Sequence, residues 1–233
     1  MTDEHVREGL GTARQRRIAE GLSDYDRLRA IAYTDDGQDR SAELRDIVTT
    51  MRIERQGQEA QLVYEARNRY PRAVADGLLA RVLAGRTLFY GADDILASAG
   101  FVLEDEALLE LALAETGRHD DRAEAAASVL GPQAVGRMID TLLGLRTRLG
   151  RDGSYDRAAR KVYNGLQSRI AHTPGASLVA AVQARSAEAD NEQIVSLAGL
   201  LSRHPNGDVD RGRPFDADAL TAIQDLGAWV SRA

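Results

Sequence analysis

Cysteine is absent from the chain, which excludes disulfides, thiolate zinc sites and a cysteine nucleophile. Long apolar runs are missing too. The first residues, MTDEHVREGLGTARQRR, lack the apolar core of a secretory leader, and no window approaches the roughly 18 to 20 apolar residues that span a bilayer. A cytoplasmic protein without membrane contact is expected. Aromatic residues make up only 5% of the chain, too few for a fold built from aromatic and β-branched strands. Lysine is reduced to Lys161 against 29 arginines, a skew that matches the codon usage of a GC-rich bacterial genome and carries no mechanism. There is no GxxxxGK[ST] phosphate loop, no GxGxxG after a strand and no GxSxG elbow. The glycines are scattered as helix stops and helix-face positions.

What is present favours helices. The 233 residues are 43% hydrophobic, enough for a buried core in one large domain or two small ones. Ala and Leu supply most of that content, and both suit helices that approach one another closely. Residues 1–91 read as a region of long charged helices, with stops at TDDGQD (34–39) and near Pro71. Ser23 to Asp26 can start one helix, and Pro71 fits the first turn of another. From 92 to 233 shorter apolar helices follow one another, near 92–99, 104–116, 121–130, 132–149, 154–172, 175–186, 190–204 and 216–232. The connections hold Gly, Pro, Asp or Asn and run mostly two to six residues, which predicts antiparallel neighbours. In the seventh of these helices Asp190 and Gln193 form a capping-box pair, and Ile194, Leu197, Ala198 and Leu201 line one face.

Two stretches share an outline. LLELALAETGRHDDRAEAAASVLGP (108–132) and LVAAVQARSAEADNEQIVSLAGLLSRHP (178–205) each give an apolar helix, a short acidic turn and a second Ala/Leu helix closing near a proline. The offset of 70 residues between Leu108 and Leu178 is about two helical-hairpin repeats. With HDD at 119–121 and ADN at 189–191 as turns inside the pairs, the region resembles a HEAT-like or armadillo-like α-solenoid, similar to the helical-repeat regions of large bacterial ATPases and signalling proteins. The resemblance implies stacked antiparallel hairpins, preceded by longer charged N-terminal helices, that present a surface to a protein or nucleic-acid partner. It carries over no catalytic residue, because the repeat motif is structural.

Charge is distributed unevenly. Residues 92–145 hold three basic against eleven acidic side chains, whereas 146–185 hold eight against two. The basic segment, 146–172, reads RTRLGRDGSYDRAARKVYNGLQSRIAH; it places Arg146, Arg148, Arg151, Arg157, Arg160, Lys161 and Arg169 around Tyr155 and Tyr163. Basic residues interleaved with aromatics are the footprint of phosphate and base contacts. Tyr155, Ala159, Val162, Leu166 and Ile170 recur at helical spacing, however, which puts Tyr155 on the packed face. A solvated helix face, a patch for an acidic protein surface and a nucleic-acid site are the three readings, and the chain's net charge of −6 opposes nonspecific nucleic-acid binding.

Reactive constellations are weak. His5, His119, His172 and His204 stand far apart, and none has a second ligand at i, i+4. HDD is explained by capping, and His172 and His204 fall in the last turns of helices, where a donor satisfies carbonyls. Acidic pairs (Asp35 and Asp36, Asp93 and Asp94, Glu104 and Glu106, Asp208 and Asp210) sit at turns and helix starts. No catalytic residue, metal or cofactor is expected.

The resulting expectation is an all-α, non-catalytic scaffold for protein–protein interaction. Its candidate partner-binding residues are Arg148, Arg151, Arg157, Arg160, Lys161 and Trp229. Trp229 belongs to a final helix with Leu220, Ile223, Leu226 and Val230 on one stripe, placed to pack back on the chain, to join a second copy or to continue a longer solenoid. The alternative is nucleic-acid binding or processing through 146–172, in the manner of the HEAT-like alkylpurine DNA glycosylases. Those resemble the chain in helical class alone, since they use several tryptophans where this sequence has one.

Overall fold

Ser23 opens the first helix among the described residues as the sequence predicts: its backbone is extended, and its hydroxyl accepts from the Asp26 N–H at 3.2 Å. The computed structural model describes residues 23–34, 37–115, 120–151, 157–186, 188–190, 193 and 197. Within them ten α-helices succeed one another: α1 Asp24–Tyr33, α2 Ser41–Thr50, α3 Gln56–Arg69, α4 Pro71–Leu83, α5 Ala92–Ser98, α6 Glu106–Leu113, α7 Asp121–Ala127, α8 Pro132–Arg151, α9 Arg157–Ala171 and α10 Gly175–Ser186. The protein is all-α. Its one β feature among the described residues is an isolated parallel bridge between Leu103 and Leu130. No described helix is long and apolar enough to cross a membrane. The chain divides into two compact units, Met1–Arg81 and Val82–Ala233.

In the first unit α1 packs on α3 and more lightly on α2. Leu28 and Ile31 of α1, Leu44, Ile47 and Val48 of α2, and Val63 and Ala66 of α3 are buried, each set spaced to lie on one helix face. Gly77 of α4 allows a close approach to α2. A Cβ there would lie 2.9 Å from both the Arg45 carbonyl oxygen and Val48 Cβ. Arg81 is buried, and its Nη1 donates to the Val48 carbonyl at 2.9 Å, satisfying an orphan acceptor at the end of α2. The chain leaves helix between α2 and α3 with no proline or glycine to mark the break. The buried Glu59 carboxylate holds it by accepting from the backbone N–H groups of Glu54 at 3.0 Å and Arg55 at 2.9 Å.

The second unit is held by helix pairs both adjacent in sequence and one step removed. α6 packs on α7 and α8 on α9, while α10 packs on α8 and α5 on α7. Alanine makes the α6–α7 approach possible: Ala112, Ala123, Ala125, Ala126 and Ala127 are all fully buried. A short staple adds to it. The Leu103 N–H donates to the Val129 carbonyl and the Gly131 N–H to the Leu103 carbonyl, both at 2.8 Å. This staple places the Glu104 carboxylate on the first turn of α8, where it accepts from the Gln133 and Ala134 N–H groups at 2.9 and 2.8 Å. Gly131 leaves room for it, since a Cβ there would overlap the Glu104 carboxylate. Gly136 does the same for Arg185, which reaches from α10 to α8 and grips Asp140 through Nε at 2.6 Å and Nη2 at 2.7 Å.

Local capping follows the sequence reading elsewhere. Asp120 of the HDD turn accepts from the Arg122 and Ala123 N–H groups. Gln193 N–H donates to Asp190 Oδ1 at 2.8 Å while Asp190 N–H donates to Gln193 Oε1 at 3.1 Å, the reciprocal pair of a capping box. The segment at 190–204 otherwise lies largely outside the described residues, and the helix expected at 216–232, with Trp229, lies wholly outside them.

Candidate functional site

The basic segment separates into two kinds of cation once folded. In α9, Ala159, Leu166 and Ile170 are buried and Val162 is half-buried, while Arg157, Arg160, Lys161 and Asn164 are exposed. Positions 157, 160, 161 and 164 follow i, i+3, i+4 and i+7, so the three cations form one continuous stripe opposite the packed face. No Asp or Glu occurs within α9. Among the described residues none of the three is paired with a carboxylate, in contrast to Arg137 with Glu106 and Arg185 with Asp140. Arg160 lies over the Tyr163 ring, 5.8 Å from its centre, within the roughly 6 Å reach of a cation–π contact. The Tyr163 hydroxyl accepts from Gln167 Nε2 at 3.1 Å.

Arg169 behaves differently. It is 3% exposed, and its Nη1 donates to the carbonyls of Ala112 at 2.8 Å and Ala114 at 2.9 Å. These are terminal acceptors of α6, so the guanidinium closes the end of a neighbouring helix. Burial pulls its pKa below the ordinary arginine value, and the Asp120 and Glu124 carboxylates pull in the opposite direction. Its place in the sequence suggested a member of the basic surface; its place in the fold is inside.

Arg148 and Arg151 fall in the last turns of α8. Arg146, in the same helix, is exposed. The structure therefore brings Arg157, Arg160 and Lys161 together, and Tyr155 and Trp229 lie outside the described residues.

An acidic cleft of about 170 Å³ lies where the far end of α9 meets α5 and α7. Asp93, Asp94, Asp121 and Glu124 line it, together with His172 and Tyr90. The sequence reading had placed the first two at a helix start and His172 at a helix end, without relation to each other. His172 Nδ1 is 2.8 Å from the Ser168 carbonyl oxygen, so that nitrogen carries a proton and donates. Nε2 then faces Asp93 Oδ2 at 3.8 Å. Ser168 Oγ donates to Glu124 Oε1 at 3.1 Å, tying the cleft wall to α9. Tyr90 is 76% exposed at the rim. No group of three or more His, Asp or Glu side chains able to hold a metal ion occurs among the described residues.

A broader cleft of about 480 Å³ occurs in the first unit, lined by Tyr25, Arg29, Met51, Arg52, Glu54 and Arg55 among others. Its charges are mixed, and Arg55 lies 5.7 Å from the Tyr25 ring centre. Comparison with known proteins returns no matching family model, no matching curated protein and no matching solved structure.

Proposed function

We propose that the protein is a non-catalytic helical scaffold, built of antiparallel hairpins in the manner of HEAT-like repeats, that binds a protein partner through the cationic face of α9. The observation that carries this reading is the stripe itself. Three exposed cations at Arg157, Arg160 and Lys161 lie within about 6 Å of helix axis and lack carboxylate partners among the described residues. Neighbouring cations behave otherwise: Arg137 and Arg185 are held by carboxylates and Arg169 by helix-end carbonyls. Like charges side by side on one helix face cost a few tenths of a kcal/mol per pair, and a partner of opposite charge offsets that cost. The charge complementarity of such a partner also gives orientation and faster association.

A photo-crosslinking residue at Asn164, exposed and one turn beyond Lys161, tests the reading in cells. The expected result is a discrete adduct that protease removes and nuclease leaves intact, and that disappears when Arg157, Arg160 and Lys161 are all changed to Glu. A nuclease-sensitive adduct would instead assign the face to nucleic acid, and no adduct at all would remove the reading.

A further inference from the structure

Resting on that reading of α9, we infer that the stripe takes a short acidic helix from another protein, one carrying two or three carboxylates within about two turns. Three features of the face lead to this partner. The first is register. Arg157 and Lys161 are separated by about 6 Å along the helix axis, with Arg160 between them, and carboxylates at i, i+3 and i+4 of a second helix repeat the same spacing. Ala158, exposed and small, lets such a helix approach closely. The first turn of α9 adds the positive end of its dipole to the same charges.

The second feature is a limit on length. Continuing the same face by three- and four-residue steps leads from Arg157 and Lys161 to Asn164, then Ser168, then His172. Ser168 is bonded to Glu124, and His172 faces Asp93 in the cleft that also holds Asp94 and Asp121. The cationic run from Arg157 to Asn164 is therefore about 10 Å long, and beyond it the surface turns acidic. A polyanion tracking along α9 would run onto four carboxylates. A one- to two-turn acidic helix ends before them.

The third feature concerns stacking. Bases bound without sequence preference need an exposed aromatic face. Tyr163 is half-buried, covered by Arg160 and held through its hydroxyl by Gln167, so it does not offer one. The whole chain's net charge of −6 also repels a long polyanion more than it repels a segment with three carboxylates.

Fluorescence anisotropy with the full chain decides the matter. The probe is a labelled alanine-based helical peptide with Glu at i, i+3 and i+4, compared at low salt with a 20-nucleotide single-stranded DNA oligomer. The peptide should bind, and R157Q/R160Q/K161Q should weaken it about tenfold, the sum of three exposed ion pairs. R52Q, at an exposed position of the first unit, should leave binding within about twofold, since it removes none of the three ion pairs of the stripe. Adding two further turns of glutamate should tighten binding by no more than about twofold, because the added charges meet Glu124 and Asp93. Gln keeps helix propensity close to that of Arg and Lys. Should the circular dichroism of the triple variant nevertheless change, K161Q alone and the salt dependence of the wild-type chain provide the same comparison. Tighter binding of the oligomer through the same three residues, or affinity that climbs with each added acidic turn, would overturn the inference. An in-cell protein adduct at Asn164 without peptide binding would overturn the acidic-helix assignment and leave the scaffold standing. Loss of both would remove the two together.

Discussion

Arg169→Met removes a guanidinium while nearly keeping the volume of its stem. The wild-type Nη1 donates at 2.8 and 2.9 Å to the Ala112 and Ala114 carbonyls, with the side chain 3% exposed. Each hydrogen bond from a charged donor contributes about 1.5 to 3 kcal/mol, so the two together contribute about 3 to 6. Methionine recovers part of this because no guanidinium has to be desolvated. A buried carbonyl at Ala112 and a part-buried one at Ala114 are left without that donor, however, and the net loss comes to about 3 kcal/mol. For a chain of this size that corresponds to a fall in melting temperature of roughly 6 to 12 °C. Arg169→Lys should fall between, since a single ammonium on a shorter, freely rotating stem matches two fixed carbonyls less well than a planar guanidinium. The assay is urea unfolding followed at 222 nm, with the m-value checked so that a shift in midpoint reports stability and not a changed denatured state. A methionine variant within about 0.5 kcal/mol of wild type, the range of an ordinary surface substitution, would refute the claim that Arg169 closes the end of α6.

Two glycines in helices should respond to alanine with opposite signs. Gly77→Ala places a methyl 2.9 Å from the Arg45 carbonyl oxygen and Val48 Cβ, and overpacking of about 1 to 3 kcal/mol should outweigh the gain in helix propensity. Gly144→Ala meets nothing within 4 Å and should raise stability by about 0.8 to 1 kcal/mol; thermal melts of the two variants check both signs. Glu104→Ala removes the carboxylate that accepts from Gln133 and Ala134 and should cost about 1 to 2 kcal/mol, with Glu104→Gln retaining part of it. In hydrogen exchange the loss should show as faster exchange at the first turn of α8, and unchanged protection there would count against the cap.

Much of the local structure was legible because its causes are local. Ser23, Pro71, Asp120 and the Asp190–Gln193 pair act within three or four residues of themselves, so the string of residues contains both partners. The alternation of packed and solvated positions in α9 was legible for the same reason: Ala159, Leu166 and Ile170 are buried where the helical period puts them. The break between α2 and α3 escaped because its cause, Glu59 accepting from Glu54 and Arg55, is written in an ordinary glutamate. Neither proline nor glycine marks it. Thr49 and Thr50, whose hydroxyls bond back to the Arg45 and Asp46 carbonyls, were a faint signal that helix was ending.

The basic segment marks the boundary between what each source of information holds. Composition and spacing by themselves determined that the chain is helical and that its middle is acidic and the next stretch basic. Only the tertiary structure decided that Arg169 turns inward to the carbonyls of α6, that Glu104 reaches the start of α8, and that His172 meets Asp93. The physical reason is range. Capping and helical periodicity are relations between residues one turn apart, whereas these contacts join residues 29 to 79 positions apart, brought together by helices that alanine and glycine allow to pack closely.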